Sequence, residues 1–229
     1  MNSISSLFSN VDYLRNASII NIFPSKKHTV ALIKNEGRKF ILKWYKPGFQ
    51  QSFSQECKVL REKNTPFHKP DLVLISEEYK FLLLEYIPSE NICDLINDPT
   101  RQTKEKIITI NHLASWFHQF HKYYQKQSRP LIHGDANLRN FIITLNKDVY
   151  GLDFEESKPG NVSEDIAFLC ASIQTTNPAF TEEKQQLQHQ FITTYVQLSN
   201  QKIKNINLIV KEAVKKTIKR RKNRKSKAE

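Results

Sequence analysis

Leu131-Ile-His-Gly-Asp-Ala-Asn-Leu-Arg-Asn-Phe-Ile-Ile143, followed by Val149-Tyr-Gly-Leu-Asp-Phe-Glu155, decides how the rest of this sequence is read. Asn140 stands five positions after Asp135, and Asp153 thirteen after Asn140. Phe141–Leu145 and Val149–Leu152 are short apolar runs joined by Asn146-Lys147-Asp148, which predicts a hairpin. Such a hairpin brings Asn140 and Asp153 together, so that oxygens from both can reach one cation. Phosphoryl transfer asks a protein for little else than a carboxylate to take the acceptor's hydroxyl proton and oxygen ligands for magnesium. Asp135 suits the first task, and the pair Asn140 and Asp153 the second.

The motif resembles the catalytic loop and metal-binding motif of the eukaryotic-like kinase superfamily. With His-Gly-Asp in place of His-Arg-Asp, it is similar to the aminoglycoside, choline and lipopolysaccharide kinases. It is similar also to the RIO kinases and to the small kinase subunit of the tRNA threonylcarbamoyl-adenosine complex. The resemblance implies an α+β, two-lobed protein-kinase-like fold, with a five-stranded antiparallel N-lobe sheet carrying one helix and a mainly helical C-lobe. It implies ATP and Mg2+ as cofactors, with Asp135, His133, Lys43 and Glu56 as catalytic residues. The expected organisation is 1–86 for the nucleotide-binding lobe, 87–210 for the helical lobe and 211–229 for a basic tail.

The remainder of the chain is consistent with that frame. Ala17–Phe23, Thr29–Ile33 and Lys39–Tyr45 are β-rich runs separated by turn-like segments, and Leu72–Ile75 and Phe81–Ile87 supply two more. Strand alternation sets Ile41, Lys43 and Tyr45 on one face, so Lys43 is a charge among apolar neighbours. By the resemblance, Lys43 holds the α- and β-phosphates, against the plainer alternative of a surface lysine on an edge strand. Ser52–Glu62 reads as a helix with Phe53, Glu56, Val59 and Leu60 on one face, which favours Glu56 over Glu62 as partner of Lys43. The end of the fifth strand resembles the interlobe hinge, which implies adenine contacts from the backbone of Glu85 and Ile87, with Leu84 guarding the pocket. Thr103–Tyr124 carries a helical stripe of Ile110, Leu113, Ala114, Phe117, Phe120 and Tyr124, which core packing explains fully. His112, His118 and His121 lack an accompanying carboxylate or Cys set and read as surface or core residues. Ser163-Glu-Asp165 reads as a helix start, and the resemblance gives Asp165 a supporting part in bracing the catalytic loop. Further helices are expected from Thr181 and over Ile203–Ile218.

Two features depart from the protein-kinase pattern. Phe23-Pro-Ser-Lys-Lys-His28 stands where a glycine-rich loop is expected, and Lys26 and Lys27 read as phosphate contacts or as solvated turn lysines. Only eleven residues separate Asp153 from Asp165, and no Ala-Pro-Glu occurs, so a protein-kinase activation segment does not fit. This favours a hydroxyl-bearing small molecule or glycan as acceptor. The alternative is a compact atypical protein kinase or ATPase of the RIO type.

Composition bounds the rest. The net charge is +12, and ten Lys or Arg against two Glu in residues 211–229 account for +8 of it. That tail reads either as a disordered solubilising segment or as a site for an anionic partner, tRNA or an acidic surface. It lacks the aromatic residues that base stacking uses. Field sign also makes a cationic acceptor less suitable than a neutral or anionic one. No apolar run is long enough to form a transmembrane segment, the first residues lack a secretory signal pattern, and three scattered Cys suit a reducing cytoplasmic setting.

Overall fold

The computed structural model describes residues 4–25, 27–125 and 130–225. It divides into two compact units, Met1–Glu62 with Pro70–Pro88, and Lys63–Lys69 with Ser89–Glu229.

The first unit opens with α1 (Ile4–Asn10), followed by β1 (Ser18–Phe23), β2 (His28–Asn35), β3 (Arg38–Tyr45), α2 (Gln50–Arg61), β4 (Leu72–Ser76) and β5 (Phe81–Glu85). All five expected strands form, in one antiparallel sheet of order β1-β2-β3-β5-β4. The β2–β3 turn is the tight two-residue kind. Asn35 pairs with Arg38, and Glu36 and Gly37 between them both take positive φ, which fits the right-handed twist of the flanking strands. Alternation then sorts the faces. Ala31, Ile33, Phe40, Leu42, Phe81 and Leu83 form one face, covered by Leu7 and Phe8 of α1 and by Leu14. Lys43 and Tyr45 point to the other, where α2 buries Phe53, Glu56, Cys57, Val59 and Leu60.

The second unit contains β6 (Glu90–Asn91), α3 (Ile92–Asn97), α4 (Thr103–Tyr124), β7 (Leu131–Ile132), β8 (Phe141–Ile143), β9 (Val149–Gly151), β10 (Lys158–Pro159), α5 (Val162–Thr175), α6 (Glu182–Ser199) and α7 (Ile206–Lys225). The expected apolar stripe of α4 is buried throughout its length. Phe67 inserts edge-on against Trp116, Phe120 and Tyr123 of this helix, and the Trp116 indole N–H donates to the His68 carbonyl at 2.8 Å. Helix α6 runs along α4 and is locked to it by Asn111, which bonds both Gln190 and Thr194, and by the ion pair Lys106–Glu183. The start of α5 is capped two residues earlier than expected. Asn161 and Glu164 form a reciprocal capping box, so Asn161 rather than Ser163 holds the helix end.

The basic C-terminal stretch is the main departure from expectation. Helix α7 begins at Ile206 rather than Ile203 and continues to Lys225 instead of ending at Ile218, packing on α5. Val210 and Ala213 are its buried contacts. Ser226–Glu229 lie outside the described residues.

A short sheet, β6-β8-β9, forms the predicted hairpin, with Phe141 opposite Gly151 and Ile143 opposite Val149. A Cβ on Gly151 would overlap the Trp116 indole. Gly151→Ala is therefore expected to destabilise the protein by about 1–3 kcal/mol through overpacking, read as a lower urea midpoint at unchanged m-value.

Candidate active site

In the first unit, Lys43 lies on the central strand of the sheet, paired in register with Val30 and Leu82. It is only 7% exposed, and its Nζ sits 2.6 Å from Glu56 Oε2. The Tyr45 hydroxyl donates to the same oxygen, and Nζ lies 5.2 Å from the centre of the Tyr45 ring. A lysine this deeply buried needs such a partner, because removing one member of a buried pair costs about 3–5 kcal/mol. Glu62 stands at the C-cap of α2. Leu84 is buried on the face that carries Lys43, opposite Ile41. The backbone of Glu85 is less free than the sequence suggests. Its N–H donates to the Asp71 carbonyl at 3.0 Å and its side chain accepts from the Asp71 N–H at 2.9 Å, so any adenine contact from Glu85 must use its carbonyl. Ile87 follows the end of β5, and Lys26 lies outside the described residues.

In the second unit, Asp135 follows β7, which is clamped by β10. Its Oδ2 accepts from Asn137 Nδ2 at 3.1 Å and from Asn140 Nδ2 at 3.3 Å. Asn140 also donates to the Asp135 carbonyl at 2.9 Å, while its own carbonyl accepts from the Leu152 N–H at 2.8 Å. One residue thus ties Asp135, through its side chain, to the strand that leads into Asp153, through its backbone carbonyl. Asp153 takes a left-handed conformation, φ 61° and ψ 62°, which Asp tolerates better than most residues. Phe154, fully buried, anchors the next position.

His133 is fully buried, and its Nε2 faces the Leu152 carbonyl at 3.0 Å, so that nitrogen carries a proton. This bond ties the His133 ring to the residue just before Asp153.

Asp165, on the first turn of α5, holds the loop from beneath. Its Oδ2 accepts from the His133 N–H at 2.7 Å, and its Oδ1 from the Gly134 N–H at 3.0 Å. His121 Nε2 lies 3.0 Å from the same Oδ2, and His121 Nδ1 lies 2.9 Å from the Tyr195 hydroxyl. Burial alone would raise the Asp165 carboxyl, but the hydrogen bond from His121, the attraction of the His121 and His133 rings and the His133 amide hold it below its usual 3.8. Burial, with the Asp165 charge nearby, pushes the Tyr195 hydroxyl up. Gly134 has φ 81°, and a Cβ there would overlap the Glu156 carbonyl oxygen. The turn at Phe154–Glu156 passes directly against the loop, and Ser157 Oγ donates to the His133 carbonyl at 3.3 Å.

Comparison with known proteins bears on this arrangement. The structure superposes on the streptomycin–ATP–APH(2")-IIa ternary complex with a TM-score of 0.64 at 14% identity, covering 93% of this chain and 88% of that one. The WaaP protein in complex with acyl carrier protein gives 0.58 at 13% identity, covering 87% and 88%. A Ralstonia eutropha protein provisionally described as an aminoglycoside phosphotransferase gives 0.62 at 14%, covering 86% and 79%. The fold is that of the protein-kinase-like superfamily. The model of the phosphotransferase enzyme family matches residues 98–198, the segment that carries Asp135, Asn140, Asp153 and Asp165. Fold and family match agree on a phosphotransferase of the kinase class. No curated protein sequence matches the chain. Among the described residues no helix is long and apolar enough to cross a membrane.

Sequence reasoning gave Tyr45 and Asn137 no part in the site, and read His121 only as a surface or core residue. Tyr45 shares the Lys43 face by strand parity, and Asn137 stands two residues after the motif Asp, so both carried a local signal. His121 carried none, because its partners Asp165 and Tyr195 lie 44 and 74 residues away.

Asp165→Asn is expected to destabilise the protein by about 3–5 kcal/mol by weakening a fully buried set of hydrogen bonds. Since the folded carboxyl titrates below 3.8, its stabilisation is present above that pH and is lost as pH falls through the folded value. Denaturation of wild type and variant between pH 7 and pH 3 should therefore show a gap that is constant near neutrality and narrows below pH 3.8.

Proposed function

We propose that the protein transfers the γ-phosphoryl group of ATP to a hydroxyl of a small molecule or glycan. The observation that carries this reading is the Asp135 carboxylate, held by Asn137 and Asn140 on a loop that Asp165 fixes. Asp135 accepts the proton of the acceptor hydroxyl as its oxygen bonds to phosphorus and the bond to the ADP oxygen breaks, the two oxygens being roughly in line. Lys43, kept in place by Glu56, meets the α- and β-phosphates. Leu84 and the backbone of Glu85 and Ile87 receive the adenine. Asn140 and Asp153 are oxygen donors suited to a hard cation, and fit magnesium, which when bound would offset triphosphate charge. ATP use is supported by the ATP-bound state of a structural neighbour. A small acceptor is favoured over a protein by the short segment after Asp153, which β10 ties back to β7.

The test is magnesium-dependent ATP turnover with a panel of sugars, polyols and amino-sugars. Asp135→Asn should lower acceptor-dependent turnover about 10²–10⁴-fold, the usual contribution of a positioned base, with little change in the KM for ATP. Lys43→Met should mainly raise the KM for ATP. Undiminished turnover in the Asp135 variant would reject the mechanism.

A further inference from the structure

The second unit contains a cavity of about 620 Å³ that has the catalytic carboxylate in its wall. Asp135, Asn137 and Asn140 line it on the catalytic-loop side, together with Arg139. The end of α5 and the residues that follow contribute Ser172, Thr176 and Asn177. Thr217, Arg220 and Arg221 come from α7, the stretch whose composition alone reads as a solubilising tail. The charged groups of the lining are three guanidiniums against one carboxylate, Asp135 itself.

One of these arginines is fixed by a bond to the neighbouring helix. Arg221 donates from Nη1 to the Thr175 carbonyl at the end of α5. Arg139 lies 3.9 Å from the exposed Asp94, a solvent-screened contact that leaves its charge largely uncompensated. Asn97, also in the lining, donates to Thr176 Oγ1 at 2.7 Å and accepts from Lys184 Nζ at 2.5 Å. Lys184 is buried, and burial, with the Lys106 charge beside it, brings its ammonium down to about 8, so it still carries charge at neutral pH. The field in the cavity is positive, and Arg is the side chain that grips phosphate or carboxylate with paired, directed N–H groups.

On the reading that Asp135 activates an acceptor hydroxyl, we propose that this cavity is the acceptor site and that the acceptor is anionic. It would be a hydroxyl compound carrying a phosphate group, bound by Arg220 and Arg221 with Arg139 at the catalytic-loop side. The hydroxyl lies at Asp135 and the existing anionic group at α7. A cationic amino-sugar meets like charge in the same place.

The experiment has two arms, one of which does not depend on turnover. Backbone amide shifts of the isotope-labelled protein are followed on titration with glucose 6-phosphate, glucose and glucosamine. Glucose 6-phosphate should give saturable shifts at Asn137, Thr176 and Asn177, and glucose or glucosamine weaker ones or none. The double variant Arg220→Gln/Arg221→Gln should weaken that binding tenfold or more, Arg220→Lys/Arg221→Lys should restore part of it, and Lys211→Gln/Lys219→Gln, which removes two exposed charges of the same helix outside the cavity, should leave it in place.

In the second arm, ATP turnover is measured with matched pairs of sugars and sugar phosphates. The Arg220/Arg221 glutamine variant should raise the KM of the anionic member of a pair tenfold or more and not that of its neutral counterpart. Absence of saturable glucose 6-phosphate binding, tighter binding of glucosamine, equal loss in the Lys211/Lys219 control, or a rise confined to the KM for ATP would each overturn the proposal. Failure of ATP turnover with phosphate binding intact would count against the kinase mechanism and not against the anion site.

Discussion

The carboxylate of Asp165 is the constraint on which the loop that carries Asp135 depends. Two successive amides, at His133 and Gly134, point into the interior of the second unit, where unpaired N–H groups would be costly. A single fully buried carboxylate receives both, and the His121 ring approaches one of its oxygens. With the loop's underside fixed in this way, its upper side can present Asp135, while Asn140 bonds Asp135 with its side chain and the Leu152 N–H with its backbone carbonyl. Asp135 is thus held on a loop whose own supports are buried, the kind of backing a preorganised site requires.

Both units keep a lysine in a dry environment, by different means. Lys43 is matched by a full counter-charge and a hydroxyl on the same oxygen, so its ammonium is held in one direction. Lys184 has a neutral amide as its direct partner, with Glu183 paired to Lys106 nearby. The first arrangement suits a cation that must point at a ligand. The second suits a charge that contributes potential to its surroundings without pointing at one.

The parts of the structure legible in the sequence were those coded by short-range pattern. The five strands followed from alternation and turns, and the long helix Thr103–Tyr124 from its apolar stripe. The association of Asn140 with the strand leading to Asp153 followed from one hairpin, and the side of α2 that carries Glu56 from helical spacing. What escaped depended on pairing across distance or on packing. His121 gained its partners only when α4, α5 and α6 came together. Glu85 lost its N–H to Asp71, on a neighbouring part of the chain that carries no mark of it. The basic C-terminal stretch has a composition typical of solvated tails, and only its packing against α5 reveals a helix that brings Arg220 and Arg221 to a cavity. Charge runs record solvation well and geometry poorly.

The glycine of His-Gly-Asp has a consequence for how such sequences can change. Its φ of 81° and the proximity of the Glu156 carbonyl leave no space for any side chain at position 134. The spelling of the motif is therefore coupled to the path of the short turn after Asp153. A switch from His-Gly-Asp to His-Arg-Asp is not a single step from this structure, because the turn must first move away. From this structure the two forms of the motif would be alternatives separated by a downstream rearrangement, so the path of the segment after Asp153 and the residue at 134 should be inherited together.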